Sequence, residues 1–239
     1  MPLAIASNTS VEQDAFVLPA SFAQERLWFL DQLEPNRATY NMASTAYIRT
    51  PLDRDALEQS LHALVQRHET LRTTFVVQDG QPMQAIAPTL TIPLPLVDLQ
   101  ALPPAQRQAE ALRFANQQAQ QPFDLARGPL LRLHVLRLGA QEHLLLLVIH
   151  HSIFDGWSIG VFFRELETLY QARVNQQAAV LPDLPIQYAD FATWQRDWLQ
   201  GPVLADQLSY WKTRLADAPT VLDLPTDHPH PPVASTRGA

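Results

Sequence analysis

The pattern of apolar and polar residues is most distinctive in the middle of the chain. Six apolar residues, Leu144–Ile149, follow one another with no polar alternation. Such a run is typical of a strand covered on both faces, although periodicity alone does not separate it from a buried helical segment. His150 and His151 come directly after the run, and Asp155 and Gly156 begin four residues beyond the second histidine. The pattern predicts a rigid strand that ends in a short turn with reactive side chains.

The segments before this strand alternate between helical and extended patterns. Apolar residues at helical spacing predict a helix over Ser21–Leu30, with Ser21 as its cap, and a second helix after Asp53. Met42–Arg49 is rich in strand-forming residues. Asp79 and Gly80 predict the turn of a hairpin.

The same alternation continues toward the C-terminus. Leu130–Leu138 alternates apolar and polar residues, and a turn at Gly139 and Ala140 makes it antiparallel to the apolar strand. Helices are predicted over Ala105–Gln118, Ser158–Arg173, 186–199 and 203–215. For Ala105–Gln118, the predicted inner face consists of Ala109, Leu112, Phe114 and Ala115.

Alternating helices and strands, several of them in hairpins, predict an α/β sandwich in which helices cover a mixed sheet. We divide the chain into a polar leader (1–17), a main lobe (18–180), and a linker with further helices (181–239). The boundary at residue 181 lies in the proline-punctuated stretch VLPDLP, Val180–Pro185. The tail from Leu222 is proline-rich.

Composition excludes several classes of function. With 239 residues, of which 46% are hydrophobic, the chain can bury a sizeable core. The net charge of −7 argues against nucleic acid and anionic membrane as partners. No segment approaches the roughly 20 apolar residues of a membrane span, and we recognise no signal peptide. The absence of cysteine excludes a thiol nucleophile. Cytoplasmic localisation is the default expectation.

The candidate chemistry lies in the histidine pair. A neutral imidazole at a strand end can take a proton from an amine or alcohol, because its ordinary pKa is about 6.5. Asp155 could bond that imidazole or pair with a buried arginine and fix the turn. A histidine at a strand end can also be a satisfied core residue. Adjacent histidines on a strand point to opposite faces, so we predict no metal site.

The stretch HHSIFDGWS, which contains His150–Ser158, resembles the HHxxxDG signature of the condensation domains of nonribosomal peptide synthetases, shared in shorter form with chloramphenicol acetyltransferase. Other segments resemble the same domains, and their order along the chain agrees with the family. They are SFAQERLWFL (Ser21–Leu30), RHETLRTTF (Arg67–Phe75), PFDLARGPLLR (Pro122–Arg132), YADFATWQR (Tyr188–Arg196) and LDLPTDHPHPP (Leu222–Pro232).

This resemblance implies an acyltransferase of the chloramphenicol acetyltransferase-like fold. Such domains join an amine on a downstream peptidyl carrier protein to an acyl or peptidyl thioester on an upstream one, next to an adenylation domain. No cofactor is expected to bind directly, since the 4′-phosphopantetheine arms of the carriers belong to the substrates. His151 would act as the base or orient the attacking nitrogen, and His150 would be mainly structural.

The resemblance also implies roles for the residues around the histidines. Asp155 would point away from the substrate and form a salt bridge with an arginine, for which Arg67 is the first candidate and Arg72 the second. Gly156 would keep the backbone clear of the thioester and the pantetheine arm. A tight turn would favour glycine there in any case.

Members of the family have two similar lobes that face each other across a tunnel, and this chain resembles the N-terminal half. We therefore expect a fragment with little activity of its own. The motifs favour the subtype that couples an L-residue donor to an L-residue acceptor. An epimerisation domain, a starter domain that receives a fatty acyl group, and a non-catalytic carrier-docking module are the alternatives.

Overall fold

The computed structural model describes residues 15–35, 37–221 and 224–229. Most of the predicted leader, residues 1–14, therefore lies outside the described residues, and so does most of the proline-rich tail. The chain divides into two compact units, of which the first ends at Trp194 and the second begins at Gln195.

Apart from two short strands, Phe16–Pro19 and Leu96–Asp98, which the sequence pattern did not indicate, the elements follow the predicted order. The strands are β1 (Phe16–Pro19), β2 (Asn41–Ile48), β3 (Thr73–Gln78), β4 (Gln81–Ile86), β5 (Leu96–Asp98), β6 (Leu131–Gly139) and β7 (Glu142–His150). The helices are α1 (Phe22–Leu33), α2 (Arg54–Arg67), α3 (Pro104–Ala119), α4 (Gly156–Val174), α5 (Tyr188–Trp198) and α6 (Gly201–Arg214), with a short 3₁₀ helix at Glu69–Arg72.

A four-stranded mixed sheet in the order β2-β7-β6-β5 carries the central strand. β7 is antiparallel to both β2 and β6, whereas β5 is parallel to β6. All β7 residues from His143 to His150 are buried, which confirms the predicted strand with two covered faces. Helix α3 packs against β2, β6 and β7. Buried leucines of α2 and α4 join the same core as the strands, so the α/β architecture is confirmed.

A second sheet, in the order β1-β4-β3, is antiparallel throughout. Its β3–β4 hairpin turns at Asp79 and Gly80, as predicted, and both residues have positive φ, 51° and 77°. Strand β1 begins at Phe16, inside the predicted leader, and the sequence pattern did not indicate it. Four residues that end in proline are too short to show alternation, and β1 forms only by pairing with β4.

The predicted capping residues Ser21 and Asp53 stand at the observed starts of helices α1 and α2. The side chain of Ser21 accepts from the backbone of Gln24 at the start of α1, and Asp53 caps α2 in the same way. Helix α4 starts at Gly156, two residues before the predicted position. In α3 the predicted inner face is partly wrong: Ala111 is buried whereas Leu112 is 61% exposed. Ala109 is exposed as well.

A buried polar network ties α1 and the start of α5 to the second sheet. The amide of Gln24 donates to Gln84 Oε1 over 3.0 Å, and the amide of Gln84 donates to the carbonyl of Pro19 over 2.8 Å. The hydroxyl groups of Ser21 and Tyr188 lie 2.9 Å apart. Gln24 and Gln84 are almost fully buried, but their amides are satisfied, as buried polar groups must be.

The segment after α4 is fastened to the end of α2. The amide of Gln187 donates to the carbonyl of Arg67 over 3.0 Å, and its oxygen accepts from the backbone of Glu69 over 3.1 Å. The guanidinium of Arg67 donates to the carbonyl of Pro182. The first compact unit therefore extends beyond the boundary that the sequence places at residue 181.

Candidate active site

His151 is the first residue after β7, and two hydrogen bonds fix it. Its backbone N–H donates to the carbonyl of Tyr40 over 2.9 Å, and its Nδ1 lies 2.7 Å from the carbonyl oxygen of Phe154. Because a carbonyl oxygen only accepts, Nδ1 must carry the proton, and Nε2 of the neutral ring keeps a lone pair. The residue is exposed. The loop therefore presents a proton acceptor at the end of a rigid strand.

His150 has the opposite environment, as the alternation of a strand requires. It is 3% exposed. Its Nδ1 lies 2.8 Å from the Ser152 hydroxyl and accepts from the Ser152 backbone N–H over 3.2 Å. Burial, assisted by the neighbouring His151, lowers the pKa of His150 to about 4. The ring is therefore neutral at pH 7, and its Nδ1 is held by the loop that follows it.

Asp155 caps helix α4 and makes no salt bridge with the predicted arginines. Its Oδ1 accepts from the Ser158 backbone N–H over 2.8 Å and from the Ser158 hydroxyl over 2.6 Å. These hydrogen bonds, chiefly that from the hydroxyl, lower the pKa of Asp155 against a smaller effect of burial. The carboxylate is thus satisfied by the first turn of its own helix.

The two candidate arginines pair elsewhere, which corrects the predicted salt bridge. Arg67 Nε lies 3.1 Å from Glu165 Oε2, and His68 Nε2 lies 2.6 Å from the same oxygen. Arg72 lies 3.7 Å from Glu69 and donates to the carbonyl of Ala87. Glu165 stands on the inward face of α4, where the end of α2 meets it. One signal was present in the sequence, since Glu165 is an acidic residue within an otherwise apolar helical stripe.

Gly156 is the first residue of α4 and is exposed. Its φ is not positive, and a Cβ built on it would meet no atom within 4 Å. The chain itself therefore gives no steric or backbone reason for glycine at this position. The open space beside it is compatible with an approaching substrate.

His151 lines neither of two cavities that lie among the described residues. One of about 360 Å³ lies between α1 and the β3–β4 hairpin and is lined by Trp28 and Phe29 among others. A smaller one of about 100 Å³ lies beside the histidine loop, with Phe154 and Ser158 in its wall. His151 is therefore open to solvent and not enclosed by either cavity.

The described residues contain no cluster of side chains suited to a metal ion. Among them, no helix combines the length and apolar character that a membrane crossing needs. The loop presents an exposed imidazole whose Nδ1 is held by the Phe154 carbonyl. A neutral imidazole of this kind can in principle accept a proton or orient a nucleophile.

Comparison with known proteins identifies the family. A family model described as "Condensation domain" matches residues 15–239. A linear gramicidin synthase of Brevibacillus parabrevis is 50% identical over 222 residues, which are 93% of this chain and 4% of that protein. Phosphinothricin tripeptide synthetase PhsC of Streptomyces viridochromogenes is 51% identical over 222 residues, and the match covers 20% of that protein. The chain belongs to the condensation domain family of nonribosomal peptide synthetases.

Solved structures agree on the fold. The starter condensation domain of rhizomide synthetase superposes with a TM-score of 0.77 at 23% identity, and the match covers 86% of this chain and 49% of that one. The chain thus spans about half the length of the solved condensation domain and a small part of the curated synthetases.

Proposed function

We propose that this chain is the N-terminal half of a condensation domain that forms an amide bond between two carrier-bound substrates. The donor is an acyl or peptidyl thioester on an upstream peptidyl carrier protein, and the acceptor is an aminoacyl group on a downstream one. The observation that supports this most strongly is His151, whose free Nε2 projects from the end of the central strand because Phe154 holds the other nitrogen.

The reaction needs little more than one proton acceptor and correct positioning. The acceptor nitrogen bonds to the thioester carbon, and Nε2 of His151 takes the proton that the nitrogen loses. The carbon–sulfur bond breaks, and the departing thiolate receives the proton and becomes the free thiol of the carrier's 4′-phosphopantetheine arm. Amine attack on a thioester is intrinsically easy, so alignment of the two arms supplies a large share of the rate.

Two further observations support substrates and partners of this kind. A variant of the rhizomide synthetase starter condensation domain was solved in complex with C8-CoA and Leu-SNAC. The curated relatives are far longer than this chain, which spans 4% of one and 20% of another. Carrier proteins and an adenylation domain next to this sequence in its parent synthetase are therefore part of the proposal.

For the subtype, we propose coupling of an L-residue donor to an L-residue acceptor, as the segments Ser21–Leu30 and His150–Ser158 favour. A starter domain that receives a fatty acyl group is the second candidate, because the superposed rhizomide synthetase domain is a starter domain. Likeness at 23% identity shows the fold alone, so the motifs keep priority.

The proposal is tested with the parent module, its carrier proteins loaded with defined thioesters and the products read by mass spectrometry. An L-aminoacyl donor is expected to give a dipeptidyl thioester on the acceptor carrier. Product from a fatty acyl donor alone would instead assign a starter domain. Inversion of one carrier-bound residue without a new amide bond would assign an epimerisation domain. A module that binds both loaded carriers yet forms no product would overturn catalysis.

A further inference from the structure

His150 lies in an enclosure that the proposed chemistry does not use directly. The ring of Phe123 stands edge-on to the imidazole at 6.3 Å, and that of Tyr40 at 6.5 Å. The loop after the strand closes the enclosure, because Ser152 holds the imidazole Nδ1. The enclosure therefore depends on where the Phe123 ring lies. Phe123 belongs to the segment after α3, so the position of its ring depends on where the end of α3 is held.

Strand register places Asn41 and Arg132 on the same face of the sheet as His150. Asn41 in β2 lies directly opposite His150, and residues opposite each other in an antiparallel pair share a face. Arg132 in β6 lies opposite Val148, which is two residues before His150 and so also shares its face. The two side chains therefore flank the histidine from the two neighbouring strands.

Both side chains bind the C-terminal end of α3. Arg132 donates to the carbonyl oxygens of Gln118 over 3.2 Å and Gln121 over 2.6 Å, and its guanidinium lies 3.9 Å from the centre of the Phe123 ring. Asn41 donates to the carbonyls of Ala119 over 2.8 Å and Gln121 over 2.7 Å. Carbonyls at a helix end have no partner in the helix, so these bonds fasten that end to the sheet.

We propose that Arg132 and Asn41 are positioning residues that hold the end of α3, and with it Phe123, closed over His150 so that His150 stays dry and uncharged beside His151. This inference rests on the proposed function only for its catalytic consequence. A charged His150 would oppose proton uptake by the neighbouring imidazole, because like charges at short distance disfavour each other. The titratable groups packed around His150 are Tyr40, His151 and, behind Phe123, Arg132.

The test uses variants that weaken the contacts to the end of α3 without changing the charge around His150. Arg132→Lys keeps the positive charge but loses the planar guanidinium that binds several carbonyls while stacking on a ring. Asn41→Ala changes no charge and removes two bonds to the end of α3. Arg127→Lys is the matched control, because Arg127 belongs to the same segment and its side chain is 72% exposed. Arg132→Lys and Asn41→Ala are the two closure variants. If either of them fails to fold, Phe123→Leu takes its place.

The measurement is the titration of the His150 imidazole by NMR in the chain labelled with ¹⁵N-histidine. In the wild type and in Arg127→Lys, His150 is expected to titrate near its lowered pKa of about 4. In Arg132→Lys and Asn41→Ala, water reaches the ring, and the midpoint is expected to rise by about one unit or more toward 6.5. A folded closure variant in which His150 titrates as in the wild type would overturn the role of that residue.

The catalytic consequence is read separately in the parent module. There the acid limb of the pH–rate profile is expected to move to higher pH in the closure variants and not in Arg127→Lys. If the wild-type module forms no amide, the proposed function fails while the titration result stands. If the module is active but neither titration nor pH profile responds, the enclosure has no positioning role.

Discussion

A single hydrogen bond to a backbone carbonyl decides which nitrogen of His151 is free. The motif in the sequence located the histidine pair and the strand before it, because a long apolar run followed by polar residues has a local signature. The side-chain partners were harder to predict. Asp155 has Ser158 three residues away and needs no arginine, whereas Arg67 meets Glu165 only because α2 and α4 pack together. Which helix faces meet is a property of the tertiary fold and not of local spacing.

The tautomer of His151 is directly measurable. We expect ¹⁵N shifts of the neutral ring to show a protonated Nδ1 and an unprotonated Nε2, because the Phe154 carbonyl can only accept. The opposite assignment, with the proton on Nε2, would contradict the geometry on which the base role depends.

The lowered pKa of Asp155 predicts how the stability of the chain depends on pH. Hydrogen bonds from Ser158 lower its pKa from 3.8 in the folded chain, so its stabilising effect is present above that value and is lost as the pH falls through the folded pKa. Asp155→Asn keeps a capping oxygen but removes the charge at the start of α4, which costs about 0.3–1 kcal/mol at pH 7.

The measurement is thermal unfolding of the wild type and Asp155→Asn between pH 2.5 and 7, in steps of roughly half a unit around the ordinary carboxyl pKa. The two curves are expected to differ at neutral pH and to converge as the pH falls through the lowered pKa of Asp155. Asp53→Asn, at the cap of α2, serves as the matched control for a change of capping residue. Parallel curves over the whole range would show that the Asp155 charge is not stabilising.

At the scale of elements, long periodic segments and the β3–β4 hairpin were predicted well, whereas the short strands β1 and β5 were not predicted. Six consecutive apolar residues place apolar side chains on both faces of β7. Such a strand is stable only where both faces are covered, and β7 is buried on both. Strand β1 was missed, since four residues acquire strand structure only from a partner. The inner face of α3 was predicted only in part: Phe114 and Ala115 contact the core, whereas Leu112 is exposed and the small Ala111 lies against the sheet instead.

The buried glutamine network gives a test at this scale. Gln84→Ala removes the partner of the Gln24 amide and of the Pro19 carbonyl, and buried groups left without a partner cost about 1–3 kcal/mol each. Urea unfolding is expected to show a clearly lowered midpoint. Gln81→Ala is the matched control, because Gln81 lies in the same strand and is exposed. Equal midpoints for the two variants would remove the network as a source of stability.

At the scale of the whole molecule, several large side chains among the described residues are exposed to solvent. Helix α6 has no buried residue, and Tyr210 and Trp211 are 56% and 54% exposed. His151 is exposed as well, although it stands at the end of the most buried strand. These exposures are compatible with the proposed N-terminal half of a two-lobed domain. The boundary between the compact units depends on tertiary contacts that the sequence does not show.

Turnover by the isolated chain tests this view. We expect these 239 residues, mixed with loaded donor and acceptor carriers, to form no amide product above the uncatalysed reaction, because one wall cannot align two substrates. The parent module under the same conditions is the positive control. Product from the isolated chain at a rate near that of the parent module would show that the second half of the domain is dispensable.

The proposed reaction depends on one imidazole, and the single-turnover rate of amide formation by His151→Ala in the parent module tests that role most directly. His62→Ala, on an exposed part of α2, is the control for loss of a histidine. Because general-base catalysis typically contributes about 10²–10⁴-fold, we expect the His151 variant to be slower by about 100-fold or more and the control to be unchanged. A correctly folded His151→Ala module with a rate near that of the wild type would contradict the base role.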